Sequence, residues 1–102
     1  MHTPYVYAIT DTKSIKIGVA RKPHTRLKAL STGNAANLTL LGYFEGGFEL
    51  EKELHNRFKK VRENGEWLHA TPDLIEYLNE HIHDKLIVLD NNTIKWFRKI
   101  PK

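Results

Sequence analysis

The chain contains no cysteine, which excludes disulfides, thiolate metal sites and cysteine nucleophiles together. No apolar run approaches the ~20 residues of a membrane-spanning helix. The opening residues MHTPYVYAIT lack the basic-then-apolar form of a secretory signal, so the expected compartment is the cytoplasm, with no membrane partner. No repeat, low-complexity segment or linker interrupts the 102 residues, a length that suits one domain around a single modest core. Acidic residues are missing from one long stretch. None occurs between Thr12 and Phe44, which carries Lys13, Lys16, Arg21, Lys22, Arg26 and Lys28.

What charge there is falls unevenly. The net charge is +4, and it is carried by Lys95, Arg98, Lys99 and Lys102, because the remaining Lys and Arg balance the 12 Asp and Glu. A basic N-terminal third and a basic tail suit a polyanionic partner, although the same charges would equally serve as a solubilising surface.

The elements follow from local pattern. Tyr5 to Ile9 reads as a strand of aromatic and β-branched residues, Asp11-Thr12-Lys13 as a turn, and Ser14 to Val19 as an alternating second strand. Pro23 suits the first position of a helix whose core face is Leu27 and Leu30, with Gly33-Asn34 ending it. Residues 37–44, NLTLLGYF, read as a third strand, and Gly46-Gly47 leads into a helix where Leu50, Leu54, Phe58 and Val61 recur at helical spacing. On the shoulder of that stripe lie Glu51 and His55, one turn apart, then Arg62. Residues 66–69 are short and extended, with Trp67 a core anchor. Thr71 caps a helix from Pro72 to about His83, on which His81 and His83 do not face each other. The runs 86–89 and 93–97 flank Asp90-Asn91-Asn92 as a hairpin.

Taken in order, VYAI at residues 6–9, KIG at residues 16–18, Arg26 on the next helix, an E-x-x-x-H helix and GEW resemble the GIY-YIG nuclease superfamily, from about residue 5 to residue 69. The nearest likeness is to its small phage and bacterial branch with KIG in place of YIG. The resemblance implies DNA phosphodiester cleavage with one Mg²⁺ (or Mn²⁺) on Glu51. It implies Tyr7 as base or water-orienter, Lys16 and Arg26 as phosphate-binding groups and His55 as a catalytic assistant. The chemistry stands beside the name: Mg²⁺ accepts a single carboxylate while keeping its waters, and a guanidinium grips phosphate in bidentate fashion. The first motif departs from the family in having Tyr5 where glycine stands, and the second in having Lys16 where tyrosine stands. Glu66 and Asn64 lie where many members carry a late polar residue, and neither is assigned a role. Taken singly, these residues also fit a core tyrosine, an exposed lysine, a solvated arginine and a surface Glu-His pair. Their joint placement carries the functional reading.

The register of the first hairpin tests it. Tyr7 and Lys16 share a face only if odd positions pair with even ones. Alternation favours the other register, which gathers Tyr7, Ile9, Ile15 and Ile17 on one apolar face.

The expected fold is α/β, a small, mainly antiparallel three-stranded sheet flanked by helices, with an added C-terminal hairpin. Residues 1–84 form the nuclease-like domain and 85–102 a basic hairpin packed on it. Lys13, Arg21, Lys22, Lys28, Lys95, Arg98 and Lys99 are the expected DNA-contacting cations, Trp96 covering the core edge between them. A chain this small leaves little surface for sequence readout unless a homodimer or protein partner supplies it. A non-cleaving DNA-binding module on the same fold, or a protein-interaction module, is the alternative.

Overall fold

The computed structural model describes residues 3–32 and 37–99. The strands β1 (Tyr5–Thr10) and β2 (Ser14–Ala20) form where β-branched and aromatic residues cluster, and they pair antiparallel. Their connection is set by side chains. Asp11 Oδ1 accepts the Lys13 and Ser14 amides at 2.9 and 2.7 Å, while the Thr10 hydroxyl donates to the Ser14 carbonyl at 2.7 Å and accepts the Thr12 amide at 3.0 Å. The last pair is Thr10↔Ile15, so the connection is even-numbered and Tyr7 pairs with Gly18, Ile9 with Lys16. Tyr7 and Lys16 therefore share a face.

The register favoured by simple alternation is thus not the one adopted. It fails because both faces of the sheet are covered and both are apolar. Val6, Ala8, Ile15 and Ile17 face one core with Leu41, Leu54, Phe58, Leu74 and Leu78. Tyr7, Ile9 and Leu40 form a second cluster with Leu27 and Leu30 packed against it.

The remaining elements are α1 (Pro23–Ser31), β3 (Thr39–Glu45), α2 (Gly47–Arg57), β4 (Arg62–Asn64), β5 (Trp67–His69), α3 (Pro72–His81), β6 (Lys85–Asp90) and β7 (Thr93–Arg98). The main sheet is antiparallel throughout, in the order β3-β1-β2-β5-β4. The three-stranded unit β3-β1-β2 is extended by the short β4–β5 pair. The expected stop of α1 at Gly33-Asn34 lies outside the described residues. Helix α2 ends one turn before its apolar stripe does: Phe58 closes it, Val61 follows in a short 3-10 turn, and Arg62 opens β4, exposed and away from the helix shoulder. Thr71 stands at the N-cap of α3, but its hydroxyl makes no capping hydrogen bond.

β6 and β7 form their own two-stranded sheet around Asn91-Asn92, both left-handed at φ 50° and 63°, as a two-residue type I′ turn requires. Asn79 on α3 grips it, donating to the Ile87 carbonyl and accepting the Ile87 amide, each at 2.8 Å. The Ile94 amide reaches the Thr12 carbonyl at 2.7 Å. No helix among the described residues is long and apolar enough to cross a membrane.

Candidate metal and phosphate site

β5 accompanies β2 only from Ser14 to Lys16. Where it departs, the outward amide and carbonyl of Ile17 are taken by two other groups. The Ile17 amide donates to the Glu66 carbonyl at 3.1 Å, and the Ile17 carbonyl accepts from His55 Nε2 at 2.8 Å. One peptide edge thus fastens the chain at Glu66 and the imidazole of α2 to the same point. Because a carbonyl only accepts, a neutral His55 carries its proton on Nε2 and keeps the Nδ1 lone pair free.

The neighbours of Ile17 complete the arrangement. The Lys16 ammonium lies 3.1 Å from Glu66 Oε1, with its side chain 13% exposed, and stands over the Trp67 ring at 5.7 Å. Gly18 leaves room for Tyr7: a Cβ at Gly18 would lie 2.3 Å from the Tyr7 hydroxyl and 2.5 Å from Cζ. Each residue of KIG is therefore used, Lys16 for charge, Ile17 for its backbone and Gly18 for space. Tyr7 is buried across from Gly18, and the exposed Arg26 on α1 is near enough for its guanidinium to act on the Tyr7 hydroxyl.

Ligand atoms of Glu51, His55 and Glu66 lie within 4.8 Å of one another. Glu51 and Glu66 are close enough for each to act on the other's proton. Burial, the hydrogen bond to Glu66 and the negative charge of Glu66 push Glu51 up to about 7, against the pull of Lys16. Burial acts on Glu66 in the same upward direction, yet hydrogen bonds from Glu51 and Lys16 outweigh it and hold Glu66 below the usual carboxylate range. A carboxyl group that keeps its proton because a second carboxylate stands beside it is one where a cation gains by replacing that proton. Donors at right angles around a divalent ion of this class stand about 3 Å apart, √2 times the ~2.1 Å bond length. The donor set fits a divalent cation.

Burial pushes the Tyr7 hydroxyl above the usual tyrosine range. The hydrogen bond and charge of Arg26 act against this, and the carboxylates of Glu66 and Glu51 reinforce it. The phenol proton is therefore retained.

Tyr7, Lys16, Arg26, Glu51 and His55 all belong to this one region. Glu66, which sequence reasoning left unassigned, belongs there as well. Its signal was the GEW triplet, and its role became readable only once β5 was seen to bring it to Ile17. The expected DNA-contacting cations divide into groups. Arg21, Lys22 and Lys28 are exposed on α1 and the turn leading to it. Lys13 is hydrogen-bonded to Thr93 at 3.3 Å at the far end of the β1–β2 hairpin, and Lys95 is paired with Asp90 at 3.0 Å. Arg98 and Lys99 are exposed at the opposite end of β7, Arg98 beside Lys85 in the register.

Residues 4–88 match the T5orf172 domain. The chain belongs to the T5orf172 domain family. This phage-associated domain is grouped with GIY-YIG-like, nuclease-related proteins, which points to a DNA-related, nuclease-like function. Neither the curated proteins nor the solved structures hold a match to the chain.

Proposed function

We propose that this T5orf172 domain is a divalent-metal-dependent endonuclease that hydrolyses DNA phosphodiester bonds. The observation that carries the reading is the meeting of a Glu-His-Glu cluster with Tyr7, Lys16 and Arg26 around the free edge of β2 at Ile17. A Mg²⁺ or Mn²⁺ ion held by Glu51 and Glu66 would supply charge for the phosphoryl oxygens and acidify a bound water.

The chain's own residues do the rest. Arg26 binds the phosphate with its guanidinium fork. Tyr7, its proton retained, orients the attacking water by hydrogen bonding and is itself held by Arg26. His55, with Nε2 tied to the Ile17 carbonyl, offers Nδ1 as the acceptor for the water proton, and the neighbouring carboxylates stabilise the imidazolium that forms. Lys16, paired with Glu66, would be free to hold the phosphate if Glu66 served the cation.

A second reading, a DNA-binding module that does not cut, draws on the Lys16–Glu66 ion pair, which occupies a carboxylate that the cation needs. The two separate in a nicking assay on supercoiled plasmid with Mg²⁺, Mn²⁺ or chelator, run beside Arg26→Ala. Metal-dependent nicking by the parent, reduced at least ~100-fold in the variant, supports the enzyme. Retention of DNA at low salt with no nicking in either metal supports the binder.

A further inference from the structure

Tyr43 is the residue that the account so far leaves without a task. It lies on β3, the edge strand, opposite Tyr7 in the register, and it is 43% exposed. A ring this exposed does little for the core. Tyr5 meets it edge-on with centroids 5.0 Å apart, and His24 on the first turn of α1 does the same at 6.0 Å. These two T-shaped contacts hold the Tyr43 ring in place, while nearly half of the residue stays exposed. Beside it is a recess of about 290 Å³ lined by His24, Leu40, Gly42, Tyr43, Asp84 and Lys85. That volume is near the lower limit of the ~300–1,000 Å³ that small-molecule pockets occupy.

The position relative to the proposed cleavage site is set by the register. Gly18, Tyr7 and Tyr43 stand in a row across β2, β1 and β3, and the Tyr7 hydroxyl leans over Gly18. Two strand spacings of ~4.8 Å place the Tyr43 backbone about 10 Å from that of Gly18. His24 and Arg26, two positions apart on α1, point to opposite sides, His24 to Tyr43 and Arg26 to Tyr7. Cations stand on either side of the patch in the chain: Arg21 and Lys22 precede α1, and Arg98 on the hairpin pairs in register with Lys85, whose ammonium lies 3.6 Å from Asp84 in the recess. The acids near it are Asp84, paired with Lys85 in the recess, and Glu45, opposite Tyr5 in the register, so the exposed Arg21, Lys22 and Arg98 are the cations offered to phosphate.

We propose that Tyr43 is a stacking platform for an unpaired nucleotide next to the scissile phosphate, so that the protein selects single-stranded or branched nucleic acid over continuous duplex. An aromatic face with flanking cations and few sequence-reading groups is the chemistry that holds unpaired bases. In a duplex the base faces are already stacked and cannot reach the ring. The inference rests on the nucleic-acid reading above, although not on cleavage.

The test measures equilibrium binding in chelator, where nothing is cut. The parent, Tyr43→Ala, Tyr43→Phe and His24→Ala are each titrated into a single-stranded DNA, a single-stranded RNA and a blunt duplex, with one 2-aminopurine in each single strand. The parent is expected to bind the single strands tighter than the duplex and to quench the 2-aminopurine. Tyr43→Ala is expected to lose about tenfold in single-strand affinity, with the quenching, and to leave duplex binding unchanged. Tyr43→Phe should retain both properties, since the ring and not the hydroxyl stacks. Unchanged single-strand affinity in Tyr43→Ala, or an equal loss on duplex, overturns the platform and leaves the nuclease reading standing. A parent that binds none of the three overturns both.

Discussion

Gly18→Ala is the perturbation whose size follows most directly from the fold. A glycine in an ordinary strand position weakens the strand, and replacing it by alanine would be expected to add ~0.5–1 kcal/mol. Here the sign reverses. The new methyl would sit 2.3 Å from the Tyr7 hydroxyl and 2.5 Å from Cζ, against 3.4–4 Å for ordinary contact. Tyr7 is 1% exposed and is covered by α1, so the ring has no open space to swing into. Forcing an extra carbon into such a core costs about 1–3 kcal/mol. With a urea slope of ~1–3 kcal/mol per molar, the unfolding midpoint should fall by about 1 M. In the double variant with Tyr7→Ala the ring is gone, and the penalty of Gly18→Ala should largely disappear. The displaced hydroxyl also leaves Arg26, so any nicking should fall even where the variant is folded. A Gly18→Ala protein as stable as the parent or more so would refute the claim that this glycine exists to seat Tyr7.

Three further outcomes follow from the site and from the hairpin. Glu51 is pushed up to about 7 when folded, so between about pH 4.5 and 7 the folded chain holds a proton that the unfolded chain has released, and stability falls as pH rises through that window. Glu51→Gln removes this slope and should be about 1 kcal/mol more stable than the parent at pH 8 in thermal or urea unfolding, a value reduced for solvent screening and for the opposite shift of Glu66. His55→Ala should lower nicking by ~100-fold or more while changing Mn²⁺ affinity, read by calorimetry, less than about threefold; a parallel loss of Mn²⁺ binding would make His55 a ligand instead of the proton acceptor. Asn79→Ala strands the Ile87 amide and carbonyl at the edge of β6 and should cost about 2 kcal/mol, with faster amide exchange confined to β6 and β7.

Much of this molecule was legible before its fold was known. The two strands around Asp11, the proline-started helices and the Asn91-Asn92 hairpin each have a local cause, in a turn side chain, a fixed proline φ or a pair of left-handed residues. The register was not legible, because alternation identifies a buried face only when the other face is wet, and here α1 covers one side of β1 while α2 and α3 cover the other. The end of α2 was misjudged for a related reason: Val61 continues the helical stripe in sequence, but the chain must leave the helix to lay β4 and β5 beside β2. Glu66 was the most consequential omission. In sequence it is one acid before a tryptophan, and only non-local pairing brings it to Lys16, Glu51 and His55. The tyrosine of the same site was found by motif, whereas the direction in which burial moves its proton could come only from the packing.

The central claim is that Glu51 holds the cation on which DNA cleavage depends. The most direct test compares the parent with Glu51→Gln for plasmid nicking in Mg²⁺ and Mn²⁺, with folding confirmed by the greater stability expected at pH 8. The parent should nick the plasmid, and the variant, folded and still binding DNA, should not. Nicking by the variant at the parent's rate would contradict it.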